Sequence, residues 1–166
     1  VIPNRYKITW TGESNTAWEN PCNWLPVQVP TTSDNIIIAT ATNYPVIADG
    51  ILAEAKSLVM ETDTRLTIDY GGSLAIDGAS GIGADIDGRL INNGTFSVDN
   101  TGGYGILLAS RSADIVSRGD VHIGQNGPIG DAGIRLQGQG NFTINDNGSG
   151  TTDLDTTLLI DNTNSH

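Results

Sequence analysis

Cysteine is almost missing from this chain. Cys22 is the only one, so no disulfide can close within it and no Cys/His zinc pattern can form. Aromatic residues are only 5% of the total, which leaves a core to be built from Leu, Ile and Val. Basic residues are scarce too. Eight Lys and Arg face 19 Asp and Glu, giving a net charge of −11 and disfavouring DNA, RNA or an anionic membrane as a partner. No apolar run is long enough to span a bilayer, so membrane insertion is not expected, and no signal peptide is visible. Helix-favouring charge is thin as well. The only Glu are Glu13, Glu19, Glu54 and Glu61, the only Lys are Lys7 and Lys56, and every later acid is Asp, which suits turns better than helix interiors.

What fills the chain is the vocabulary of strands and turns. There are 21 Gly among 166 residues, with Asn, Asp, Ser and Thr between short apolar runs. From about residue 51 these runs become triplets such as Leu58-Val59-Met60, Leu66-Thr67-Ile68, Leu74-Ala75-Ile76, Phe96-Ser97-Val98 and Ile134-Arg135-Leu136. Most read apolar–variable–apolar, which is strand alternation with the outer residues inward and the middle one outward. Each is shorter than the roughly five to six residues of an ordinary sheet strand. Strands this short are stabilised by stacking in coils, three to a coil of roughly two dozen residues. The expected fold is therefore all-β, a right-handed parallel β-helix. The stretches from Gly124 to Asp131 and from Asp146 to Asp155 are expected as loops.

The first fifty residues differ in texture. They hold all three Trp, five of the six Pro and the one Cys. A bare terminal coil would expose unpaired strand edges, and solenoids use atypical end segments to cover them. Residues 1–50 are therefore expected to form an N-terminal cap, with the coils over 51–166 and one structural domain overall. The chain begins at Val1 and stops in a polar stretch, so it reads as part of a larger chain.

Within that N-terminal region, Ile8-Thr9-Trp10-Thr11-Gly12, Trp18-Glu19-Asn20-Pro21, Asn23-Trp24 and Val29-Pro30-Thr31-Thr32-Ser33-Asp34-Asn35-Ile36-Ile37-Ile38 form a series of spaced signatures. Together with the ladders at Leu66-Thr67-Ile68 and Gly71-Gly72-Ser73-Leu74, they resemble the N-terminal part of large secreted or cell-surface proteins of Bacteroidetes-type bacteria. The resemblance covers roughly residues 8–80. It implies export, an adhesin-like β-helical surface module and a longer parent. It implies no defined reaction, and β-helices of this kind also occur in polysaccharide lyases and hydrolases.

Candidate chemistry is sparse. Gly83-Ala84-Asp85-Ile86-Asp87-Gly88 offers two carboxylates two residues apart beside flexible glycine, which suits a hard cation, so Asp85 and Asp87 are candidate Ca2+ ligands. Asp146, Asp153 and Asp155 form a second acidic stretch. Trp18 and Tyr104 are candidate sugar-stacking residues, although burial of the three Trp in the cap is the commoner use of such rings. A glycosidase would require two carboxylates facing one sugar. Asp85, Asp87, Asp99 and Asp114 are the residues that could align on one face, with Arg89 and Arg111 to orient an acidic sugar. His122, in the middle of Val121-His122-Ile123, is expected to point outward. No Ser/His/Asp set, P-loop or dinucleotide fingerprint is present, so no catalytic residue is assigned. The expected function is a non-catalytic structural or adhesive module outside the bacterial cell, with glycans or other surface proteins as partners. The alternative is a carbohydrate-binding or carbohydrate-active β-helix fragment.

Overall fold

A computed structural model describes residues 7–137, 140–144, 152–154 and 158–161, with side chains as far as Thr143. Two strands lie at the N-terminal end, β1 (Lys7–Trp10) and β2 (Trp24–Leu25). The coils then follow in threes. The first is β3 (Asn35–Ile38), β4 (Val46–Ile47) and β5 (Leu52–Ala55), and the second β6 (Ser57–Met60), β7 (Arg65–Ile68) and β8 (Ser73–Asp77). The third is β9 (Ala84–Ile86), β10 (Arg89–Asn92) and β11 (Thr95–Asp99), and the fourth β12 (Ile106–Leu108), β13 (Asp114–Ser117) and β14 (Asp120–Ile123). The last is β15 (Ile134–Gln137), β16 (Asn141–Ile144) and β17 (Thr152–Leu154), followed by β18 (Leu158–Asp161).

Every third strand stacks on the same sheet, so the chain is a parallel β-solenoid of about six turns. Face A is β1, β3, β6, β9, β12, β15 and β18; face B is β4, β7, β10, β13 and β16; face C is β5, β8, β11, β14 and β17. Seven parallel strands on face A, at about 4.8 Å per step, make a stack about 29 Å long.

The triplet pattern explains the burial. In β6, β7, β10 and β14 the second and fourth residues are buried while those between them face outward. Leu58, Leu66, Leu74, Leu90 and Phe96 are all at most 1% exposed. Burying each such side chain is favourable by about 1.5–3 kcal/mol. Because the register is strict, each inward residue sits on an inward residue of the next coil, as in Leu66 on Leu90 on Ile115. The result is one apolar cluster running from Ile8 to Ile134.

Some buried positions are polar, among them an inward pair on face B. Asn92 and Ser117 stack in register inside the coil and are fully buried. Asn92 Nδ2 donates to Ser117 Oγ at 2.9 Å and to the Asp120 carbonyl at 2.9 Å, so the donors are satisfied in place.

The ladder starts earlier than residue 51. β3 and β4 are already rungs of faces A and B, and β1 pairs in parallel with β3 from Lys7↔Asn35 to Trp10↔Ile38. On face B, Ala17 bridges Val46 in parallel, with Val46 N–H donating to the Thr16 carbonyl at 2.7 Å and Trp18 N–H to the Val46 carbonyl at 3.2 Å. The Trp-rich segment is thus an incomplete coil of its own rather than a separate cap over 1–50. Its outer edge is covered by β2, which runs antiparallel along β1. Asn23 ties this turn together: its Oδ1 accepts from Ser14 N and Asn15 N, and its Nδ2 donates to Asn15 Oδ1 and the Ala17 carbonyl.

At the other end, β17 falls inside the stretch expected as a loop from Asp146 to Asp155. The stretch from Gly124 to Asp131 connects β14 to β15 without a strand, apart from a single bridge between Thr101 and Ile129.

Candidate functional site

The three tryptophans converge at the N-terminal end. Trp24 lies edge-on to both others, with ring centroids 4.9 Å from Trp10 and 4.8 Å from Trp18 and interplanar angles of 85° and 78°. Trp24 Nε1 donates to the Trp18 carbonyl at 2.8 Å, and Trp10 Nε1 to the Asn43 carbonyl at 2.7 Å. All three are 1% exposed. A ring with no free face cannot stack on a pyranose, so Trp18 is not a sugar platform; it fills the end of the core.

Tyr104 sits at the corner leading from face C into face A. Its neighbour Gly105 is one of a run of inward glycines, Gly83, Gly105 and Gly133, stacked through successive coils. A Cβ on Gly83 would come within 2.5 Å of Val98 Cγ1, and one on Gly105 within 2.5 Å of the Gly133 carbonyl oxygen. The glycines let the backbone cut this corner closely. Tyr104 itself is half-buried. The Arg135 guanidinium lies 4.8 Å from its ring centroid and donates to its hydroxyl. One ring face is therefore already covered by a cation–π contact.

Asp85 is the outward residue of β9 on face A, and Asp87 stands beside it at the corner that follows. Asp85 occupies a column between Val59 and Leu107 in the coils before and after. Burial among these apolar neighbours raises its pKa above the ordinary carboxylate range, and the charge of Asp87 raises it further. Asp87 Oδ1 is buried with no hydrogen-bond partner among the described residues. Among the described residues no third His, Cys, Asp or Glu joins the pair to make a metal-binding group. Two carboxylates are a small part of the six to eight oxygens that calcium takes. The Asp146, Asp153 and Asp155 stretch lies outside the described side chains.

The carboxylates singled out for glycosidase chemistry do not share a face. Asp85 belongs to face A, and Asp87 stands at the corner that follows it, before β10. Asp114 is on face B, where its Oδ2 pairs with Arg89 Nε at 3.2 Å. Asp99 ends β11 on face C, nearly buried, and accepts from Asn126 N at 2.9 Å and Asn126 Nδ2 at 3.3 Å. Arg111 is exposed at the corner before β13. His122 lies at an outer position of face C, in register with Ser97. Asp34 is a turn residue: its Oδ2 accepts from Thr31 N and Thr31 Oγ1.

One feature had no sequence signal. At the corner from face B to face C, the second coil uses four residues, 69–72, whereas the third and fourth coils use two each, 93–94 and 118–119. The longer corner overhangs the shorter ones and leaves a groove of about 270 Å³ lined by Tyr70, Asn93, Thr95, Arg118 and Asp120 over a floor of glycines. Tyr70 is 82% exposed. A smaller groove of about 220 Å³ lies at the edge of face B, lined by Tyr44, Arg65 and Arg89 among others.

These observations define the class: an all-β, coil-stacked parallel solenoid with a tryptophan-filled N-terminal turn. The sequence matches the family described as Domain of unknown function (DUF8693) over residues 9–121, more than half of the chain, and belongs to that family. No curated protein and no solved structure matches it.

Proposed function

We propose that this chain is a non-catalytic structural or adhesive module of a secreted or cell-surface bacterial protein. The observation that carries this reading is the dispersal of the candidate carboxylates over three faces of the coil, with Asp114 engaged by Arg89 and Asp99 by Asn126. A hydrolase or lyase face would gather such groups around one sugar. The continuous core supports a rigid spacer, because each coil is held on both sides by its neighbours. No helix among the described residues is long and apolar enough to cross a membrane. The acidic charge supports protein or glycan partners over nucleic acid. The extracellular placement rests on the N-terminal resemblance.

Protease treatment of intact cells of the source bacterium tests the placement. Loss of the protein while a cytoplasmic marker survives is expected, and protection until lysis would overturn it. Incubation of the purified chain with neutral and acidic polysaccharides tests the chemistry. No release of reducing ends or unsaturated products is expected, and release that Asp85→Asn or Asp114→Asn abolishes would replace this reading with an enzymatic one.

A further inference from the structure

The Tyr70 groove goes beyond a spacer. We propose that it binds one neutral pyranose residue of a polysaccharide, with the Tyr70 ring as the stacking face.

The aromatic residues make the first argument. Trp10, Trp18, Trp24 and Phe96 are buried, and Tyr44 and Tyr104 are half-buried with their hydroxyls hydrogen-bonded. Tyr70 alone among the described aromatics is held out in solvent, at 82% exposure. An aromatic ring at the rim of a polar groove combines an apolar face with a hydrogen-bonding tip. The apolar C–H face of a pyranose matches the first, and its hydroxyls match the second.

The groove's other side chains make the second. Asn93 both donates and accepts, Thr95 does the same through its hydroxyl, and Arg118 only donates. Sugar hydroxyls need both kinds of partner. One Arg and one Asp line the groove, so it carries no net positive charge, and the chain as a whole carries −11, so a polyanionic sugar gains little here. The volume, about 270 Å³, is just under the roughly 300–1,000 Å³ of sites that enclose drug-sized ligands, a size for one ring rather than a long oligosaccharide.

Rigidity is the third. Asn93 and Arg118 stand on successive two-residue corners, fixed by Asn93 N–H donating to the Ile68 carbonyl and Arg118 N–H to the Asn92 carbonyl, both at 2.8 Å. The floor glycines allow no side chain: a Cβ on Gly94 would sit 2.5 Å from the Asp69 carbonyl oxygen, and one on Gly119 would sit 2.7 Å from the Asn93 carbonyl carbon. A groove fixed before the ligand arrives loses little entropy on binding.

The test is an array of neutral and uronic-acid-containing glycans probed with the whole chain, followed by affinity electrophoresis against the polysaccharides that score. Binding to neutral glycans is expected. Tyr70→Ala should weaken it at least about tenfold, the scale of losing one aromatic anchor. Tyr70→Phe should retain most of it, and Tyr104→Ala should leave it unchanged. The melting midpoint of Tyr70→Ala should equal that of the parent, because the ring is already in solvent. No neutral ligand, binding to acidic glycans alone, or neutral binding indifferent to Tyr70→Ala would each overturn the proposal. The spacer reading fails on separate grounds, by catalysis or by an intracellular location.

Discussion

Trp24→Ala is the sharpest probe of how the solenoid is closed at its N-terminal end. Trp24 is 1% exposed and is the shared partner of two edge-to-face contacts, at 4.9 Å and 4.8 Å. Truncating a fully buried Trp costs about 3–5 kcal/mol, including the cavity left behind. The two aromatic contacts, at about 0.5–1.5 kcal/mol each, belong inside that figure and push towards its upper end. Natural domains are stable by about 5–15 kcal/mol, so a third or more of the total would go. Trp24→Phe keeps a ring between Trp10 and Trp18 but removes the N–H donated to the Trp18 carbonyl. Leaving that carbonyl unpaired costs about 1–3 kcal/mol, so the Phe variant should fall clearly between parent and Ala. Urea unfolding followed by far-ultraviolet circular dichroism reads both without relying on tryptophan emission. A loss below about 1 kcal/mol for Trp24→Ala, or equal losses for Phe and Ala, would refute this reasoning.

Other perturbations follow from the same geometry. Gly105→Ala drives a methyl to 2.5 Å from the Gly133 carbonyl oxygen and should lower stability by about 2 kcal/mol or more; a neutral result in the same urea assay would show that the corner can relax. Asp85 has its pKa raised chiefly by burial and secondarily by Asp87, so the folded state holds its proton to higher pH than the unfolded chain does. Between the ordinary carboxylate value and that raised value, stability therefore falls as pH rises. Asp85→Asn should raise the melting midpoint at pH 7 and change little in strong acid, where both forms are neutral; an equal effect at both pH values would remove ionisation as the cause. Calcium held by Asp85 and Asp87 would stabilise the wild type and reverse the sign of the Asp85→Asn effect. A wild-type midpoint that drops on chelation, with the drop abolished by Asp85→Asn, assigns the ion there, whereas identical midpoints with calcium and with chelator remove it.

Much of the coil was legible because strand alternation is local. Leu66-Thr67-Ile68 and Leu74-Ala75-Ile76 state which side chains point inward without reference to the rest of the chain. β5 and β13 were harder to see. Glu54 interrupts small alanines in the first, and the inward position at the end of the second is Ser117, partnered by Asn92. A buried polar pair looks like a turn residue until its register is known. β3 and β4 were set apart from the ladder by their Trp- and Pro-rich surroundings, although Ile36 and Ile38 carry the same alternation. The candidate site was less legible than the fold. Trp18 advertised a sugar platform by residue type alone, and burial reversed that. Tyr70 carried no local signal, since the groove arises from a difference in corner length between coils that come together only in three dimensions. Whether Asp85, Asp99 and Asp114 share a face likewise depends on which strand follows which corner.

Residues 35–38 are a true rung of the solenoid, stacked in register on the next coil. Ile37 and Val59 face outward and are paired across β3 and β6, whereas Thr67 lies on face B. Nitroxide labels on Ile37→Cys and Val59→Cys, in a Cys22→Ser background, should show strong dipolar broadening, because adjacent strands lie about 4.8 Å apart. The Ile37→Cys and Thr67→Cys pair should show much weaker broadening. Weak broadening for the first pair, or equal broadening for both, would contradict the solenoid register that places the Trp-filled first coil and the Tyr70 groove.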